Sequence, residues 1–169
     1  MLFRSMNDAR PWRVGIRDPR AVRTLAWLEL NDESVATSGD YERFFLVNGK
    51  RIHHLLDPRT GRPAGHTIAV TVIANDATLA DAASTALFIA GPDQWQNVAR
   101  AMGVDQALRV DASGQIQVTR KLQARLQLHY RIAANGVDHS RLTLTWQAFF
   151  RAKAARRQAQ TNIAPLPSW

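Results

Sequence analysis

The stretch Ile68-Ala-Val-Thr-Val-Ile-Ala74 is apolar on both faces, and a β-rich run of this kind is stable only as a strand covered from two sides. It is therefore expected at the centre of a sheet. Asn75-Asp76 follows as a helix cap, residues 77–90 are good helix formers, and Gly91-Pro92 stops them with a glycine past the helix end and a proline that cannot extend it. A second helix is expected from Asp93 to Gly103, with Trp95, Val98, Ala99 and Met102 on one stripe.

Shorter extended segments surround this unit. Trp12–Arg17 puts Trp12, Val14 and Ile16 on one face and closes on the turn signal Asp18-Pro19, with Trp12 expected in the core. Residues 25–30 form another apolar run, and residues 34–38 lead into Gly39-Asp40. Residues 41–47 and 51–56 flank Asn48-Gly49-Lys50, the strongest short-range signal for a hairpin. These segments are expected to form an antiparallel meander. Downstream, residues 108–110 and 115–119 flank Asp111-Ala-Ser-Gly114 as a hairpin, and residues 122–128 alternate as a last half-buried strand. The expected fold is α+β, an antiparallel sheet with one or two packed helices.

Composition removes several function classes. The chain has 169 residues, a length suited to one domain, and no cysteine, which excludes disulfides, thiolate metal sites and a cysteine nucleophile. No segment approaches the roughly 18 uninterrupted apolar residues of a membrane helix, and the start carries no apolar export signal. As written, the chain reads as cytoplasmic. Its formal charge of +8 is uneven: residues 130–169 hold six Lys/Arg against Asp138, a net of +5, which leaves +3 on residues 1–129. So small an excess reads as a solvated face, and no aromatic-basic motif for nucleic acid accompanies it. The division expected is a globular portion over residues 1–129 and a basic extension over 130–169, with a helical pattern at 143–160.

Two groups of residues carry possible chemistry. On a helix, Asp81 and Thr85 are i and i+4 with Ser84 at i+3, so their oxygens share one face. A carboxylate beside one or two hydroxyls suits Mg²⁺, which completes its octahedron with water and substrate phosphate. The same spacing also describes a solvated aspartate beside hydroxyls bonded back to helix carbonyls. His54 stands where a strand gives way to a loop, and its imidazole suits the removal of a hydroxyl proton, with Asp57 near enough in sequence to hold its tautomer. A structural histidine at a strand end fits the position as well. His53 should point to the opposite side. Arg59, in the turn Asp57-Pro58-Arg59-Thr60-Gly61, offers a guanidinium to a phosphate or to an acidic neighbour. Ser38-Gly39-Asp40-Tyr41 reads as a tight turn whose ring serves either for stacking or for the core.

Taken in order, Trp12-Arg-Val-Gly-Ile-Arg-Asp-Pro19, Ser34-Val-Ala-Thr-Ser-Gly-Asp-Tyr-Glu-Arg43, His53-His-Leu-Leu-Asp-Pro-Arg-Thr-Gly61, Val70-Thr-Val-Ile-Ala74 and Ala80-Asp-Ala-Ala-Ser-Thr85 closely resemble the C-terminal half of the ApbE family of flavin transferases. The resemblance runs from about residue 11 to residue 128. It implies Mg²⁺-dependent transfer of the FMN moiety of FAD to a threonine or serine hydroxyl of an acceptor protein, with release of AMP; some relatives instead hydrolyse FAD to FMN and AMP. By position, Asp81 and Thr85 match metal ligands, Ser84 can assist them, and His54 matches the base. His54, Leu55 and Arg59 would meet the flavin nucleotide, Leu55 through its backbone. The implied acceptor is a subunit of a membrane redox complex, and full-length relatives are periplasmic or inner-membrane-associated. The family's N-terminal half, with its Ala-Lys-Gly and Gly-Gly-Asp motifs, has no counterpart here. The resemblance therefore implies either an enzyme completed by a separate N-terminal polypeptide or a non-catalytic remnant that binds flavin nucleotide or a partner.

Overall fold

The computed structural model describes residues 2–3 and 10–128. A short strand β1 (Leu2–Phe3) precedes β2 (Trp12–Arg17) and β3 (Thr24–Leu30), which pair antiparallel from Trp12↔Leu30 to Arg17↔Thr24. The turn at Asp32, with φ of 53°, then sends β4 (Glu33–Gly39) away from β3. β5 (Phe44–Val47) and β6 (Lys50–His53) make a hairpin closed by Asn48 and Gly49, whose φ values of 49° and 75° are those a tight two-residue turn demands. β7 (Leu56–Asp57) and β8 (Arg62–Pro63) bracket the Pro58 turn, and β9 (Thr67–Ala74) follows.

β9 is central, as its composition requires. β4 runs antiparallel along one edge from Ser34↔Ala74 to Gly39↔Ala69, and β10 (Gln106–Asp111) along the other. With β1 outside β4 and β11 (Ile116–Val118) outside β10, the order is β1-β4-β9-β10-β11. The expected meander therefore breaks at Asp32. A strand apolar on both faces needs both edges paired, and β4 supplies one of them rather than extending the β2–β3 pair.

After β9, the Asp76 carboxylate accepts from the Leu79 amide at 2.7 Å and starts α1 (Ala77–Ala101). This cap contributes about 1 kcal/mol to helix stability. The helix breaks at Gly91, with φ of 73°, before Pro92. Two helical segments thus meet where Gly91-Pro92 predicts. Ala80, Ala83, Leu87 and Phe88 of the first segment and Trp95 and Ala99 of the second bury one stripe against Val70 and Val72 of β9. On the opposite face of the sheet, Ala69, Ile73, Leu108 and Val110 pack against Ile16, Leu25, Leu28 and Leu30 of β2 and β3. The result is helix on sheet on sheet, an α+β fold with two cores.

The end of the described chain departs from expectation. Residues 120–123 form a helical turn, α2 (Arg120–Gln123), and β12 (Gln127–Leu128) alone is extended, pairing with β3 beside Trp27 and Ala26. The spacing of Leu122 and Leu126 suits i and i+4 as well as alternation, and both enter the first core. Arg125 fixes the bend, binding both Glu33 oxygens at 2.7 Å, Gln106 Oε1 at 2.6 Å and the Glu29 carbonyl at 2.6 Å. Trp12 is also corrected. It is 41% exposed, because it begins an outer strand while Ile16 lies deep on the same face. The basic extension at 130–169 and its helix at 143–160 lie outside the described residues.

Candidate functional site

The first turns of α1 carry Asp81, Ser84 and Thr85 to the end of β4. The Ser38 hydroxyl of β4 sits 2.8 Å from Ser84 Oγ and 3.0 Å from Thr85 Oγ1. Ser84 is fully buried, and its hydroxyl donates to the Asp81 carbonyl at 2.9 Å. Its oxygen is already doubly engaged. Asp81, one turn before Thr85, is exposed, and its carboxylate has no hydrogen bond or ion pair among the described residues. This donor set suits a hard cation at Asp81 and Thr85, which Mg²⁺ completes with water and phosphate oxygens. No cluster of three or more His, Asp or Glu forms a cage among the described residues, so protein ligands alone do not fill a coordination sphere there.

The His53-His54-Leu55 segment is held against the same helix. His53 is buried, and its ring meets Phe88 edge-on at 5.6 Å and 78°, one helical turn beyond Thr85. Burial lowers the His53 pKa, with Asp40 acting in the opposite direction. The Leu55 amide donates to His53 Nδ1 at 3.3 Å, the Leu55 carbonyl accepts from Ala64 at 3.0 Å, and the Leu55 side chain joins the α1 core. Alternation then leaves His54 outside, as expected. His54 Nδ1 lies 3.3 Å from the Arg43 carbonyl; a carbonyl only accepts, so Nδ1 is the donor there, and in the neutral ring Nε2 is the nitrogen left with a lone pair.

Asp57 does not hold that tautomer. Its carboxylate instead takes the Arg59 Nε and Nη2 at 2.9 and 2.8 Å, and the Arg59 hydrogen bonds draw its pKa down. Of the two partners foreseen for Arg59, the acidic neighbour is the one present. Its side chain is 66% exposed and stays within reach of solvent.

Three contacts at the site were not legible in the sequence. Asp40, two residues after Ser38, takes a two-pronged ion pair from Arg20 at 2.7 and 2.6 Å and a third bond from Arg51 at 3.1 Å. These tie the β2–β3 turn and β6 to the end of β4. Ser38 itself read only as part of a turn. The signal available was the run of small and hydroxylic residues in β4, which lets α1 approach closely. Tyr41 is half-buried against the first core with Arg17 over its ring at 5.4 Å, so its ring belongs to the fold; burial raises its pKa.

Known proteins resemble this chain in sequence and fold. The ApbE family pattern matches residues 2–108. The chain is 42% identical over 122 residues to the FAD:protein FMN transferase of Rhodobacter capsulatus, covering 72% of this chain and 23% of that protein. It is 40% identical over 105 residues to the Escherichia coli K12 protein of the same name, covering 60% and 30% respectively. Among solved structures, the ApbE protein of Thermotoga maritima superposes with a TM-score of 0.67 at 41% identity, over 72% of this chain and 40% of that one. The flavinyl transferase ApbE of Pseudomonas stutzeri gives 0.57 at 37% identity, over 72% and 39%. The chain thus spans less than half the length of each of these relatives. Every residue of the candidate site lies inside the matched span, and the chain belongs to the ApbE family.

Proposed function

We propose that this chain carries the phosphoryl-transfer side of a flavin transferase site, moving FMN from FAD to a threonine or serine hydroxyl of an acceptor protein. One observation carries the reading beyond family membership: a free carboxylate and a hydroxyl on one face of α1 stand beside a segment whose exposed imidazole engages the Arg43 carbonyl through Nδ1 and leaves Nε2 without a protein partner among the described residues.

In this mechanism His54 Nε2 accepts the proton of the acceptor hydroxyl. The hydroxyl oxygen forms a bond to the FMN phosphorus of FAD, and the bond from that phosphorus to the bridging oxygen breaks. AMP leaves with the bridging oxygen. Asp81 and Thr85 would hold Mg²⁺, which supplies positive charge against the transferring phosphoryl and the leaving group. Ser84, whose hydroxyl bonds to the Asp81 carbonyl and to Ser38, can assist Asp81 and Thr85 from between the two. The Leu55 backbone and the outer edge of Arg59 face the nucleotide, and the acceptor is a subunit of a membrane redox complex. No helix among the described residues is long and apolar enough to cross a membrane.

The test is incubation of the purified chain with FAD, Mg²⁺ and an acceptor bearing the target threonine, with and without a polypeptide carrying the rest of the family fold. Fluorescent acceptor on a denaturing gel is expected. Absence of covalent flavin under both conditions would sink the transferase reading and leave a binding remnant.

A further inference from the structure

The mechanism above leaves the Ser38 hydroxyl unused, yet it touches both hydroxyls of α1. A hydroxyl has one proton to give. Ser84 gives its proton to the Asp81 carbonyl, which can only accept. In the 2.8 Å contact between Ser38 and Ser84, Ser38 is therefore the donor. Its proton is then committed, so in the 3.0 Å contact with Thr85 the donor is Thr85 Oγ1. The protons run one way, from Thr85 to Ser38 to Ser84 to the Asp81 carbonyl. Ser84 is 0% exposed and Ser38 9%, so water offers little competition within this chain.

A ligand to a cation must present lone pairs, not a proton. We infer that Ser38 is a positioning residue for Thr85: it accepts the hydrogen bond that the Thr85 hydroxyl donates, fixes the side-chain rotamer and leaves the oxygen's lone pairs for a divalent cation held with Asp81. This assignment rests on the cation reading of Asp81 and Thr85 given above. The relay ends on the Asp81 carbonyl, so it couples the two ligand residues across one helical turn.

The experiment titrates Mn²⁺ into the full chain and follows the signal of the free ion by electron paramagnetic resonance, for wild type, Ser38→Ala, Ser38→Cys and Asp81→Asn. In metal-free protein, three-bond couplings to Thr85 Cγ2 report its χ1 rotamer. Wild type is expected to bind Mn²⁺ and Asp81→Asn to lose it. Ser38→Ala should weaken binding about fivefold, the size of one neutral hydrogen bond, and Thr85 should pass from a single rotamer to averaging. Ser38→Cys keeps the shape and offers only a weak acceptor, so it supplies the same readout if the alanine variant does not fold. Unchanged affinity overturns the role of Ser38, as does a Thr85 rotamer that stays single. Wild-type protein that binds no Mn²⁺ overturns the cation reading itself, and this assignment with it.

Discussion

His53 of β6 sets its ring edge-on to Phe88 of α1, with centroids 5.6 Å apart and planes at 78°. This contact holds one histidine of the His53-His54 pair in the core, while the other turns out to solvent. It also makes the buried ring a pH-sensitive element. Burial depresses the folded-state pKa of His53, so the unfolded chain binds the proton more readily. Its contribution is complete above the unfolded value of 6.5, falls as pH drops below that value, and levels off once the folded value is passed. Glu33 and Asp57, whose folded values are lowered, lose their contributions only below 4.5 and 3.8. The melting temperature should therefore fall between pH 7 and pH 5, with a shallower fall in His53→Gln. A wild-type melting temperature that holds or rises over this window contradicts the buried neutral ring.

Asp81→Ala and His54→Ala should each abolish flavin transfer while shifting unfolding free energy by no more than about 0.5 kcal/mol, because both side chains are exposed. Denaturant titration beside the transfer assay separates the two effects. Retained transfer in either variant would refute the role given to that residue.

Arg125 joins the last helical turn to Glu33, Gln106 and the Glu29 carbonyl through four acceptor atoms held by one guanidinium fork. Arg125→Ala should lower stability by about 2 kcal/mol, and Arg125→Lys should recover only part of it, since an ammonium cannot reproduce the paired geometry. Equal midpoints for the two variants in urea would show that charge alone matters there.

Gly91 takes φ of 73° at the break in α1, and a Cβ there would meet the His66 ring at 3.3 Å. Gly91→Ala should cost about 1 to 3 kcal/mol from the backbone alone, because φ of 73° with ψ of −175° is a conformation essentially reserved for glycine. The measurement is the urea midpoint at unchanged slope. An unaltered midpoint would mean that the helix does not need this break.

Much of the fold follows from residues whose physics allows one answer. The doubly apolar β9, the Asp76 cap, the Gly91-Pro92 break and the Asn48-Gly49 hairpin were all legible, since each reflects local backbone chemistry. The partner of β4 was not, because pairing with β9 rather than β3 depends on contacts distant in sequence. Residues 122–128 misled for another reason: Leu122 and Leu126 satisfy two periods, and long-range bonds from Arg125 choose the helical one. At the candidate site, the spacing of Asp81 and Thr85 and the outward turn of His54 could be read from periodicity. The hydroxyl partner Ser38 and the Asp40 ion pairs join elements far apart in the chain, and no local pattern announces them.

The transfer reading is tested most directly by product stoichiometry. After FAD and Mg²⁺ are incubated with the chain, the acceptor and the polypeptide completing the family fold, AMP is measured by chromatography and modified acceptor by intact mass. The expected result is one AMP for each acceptor that gains FMN, with both products absent in Asp81→Asn. AMP accompanied by free FMN and an unmodified acceptor would contradict transfer and assign hydrolysis of FAD instead.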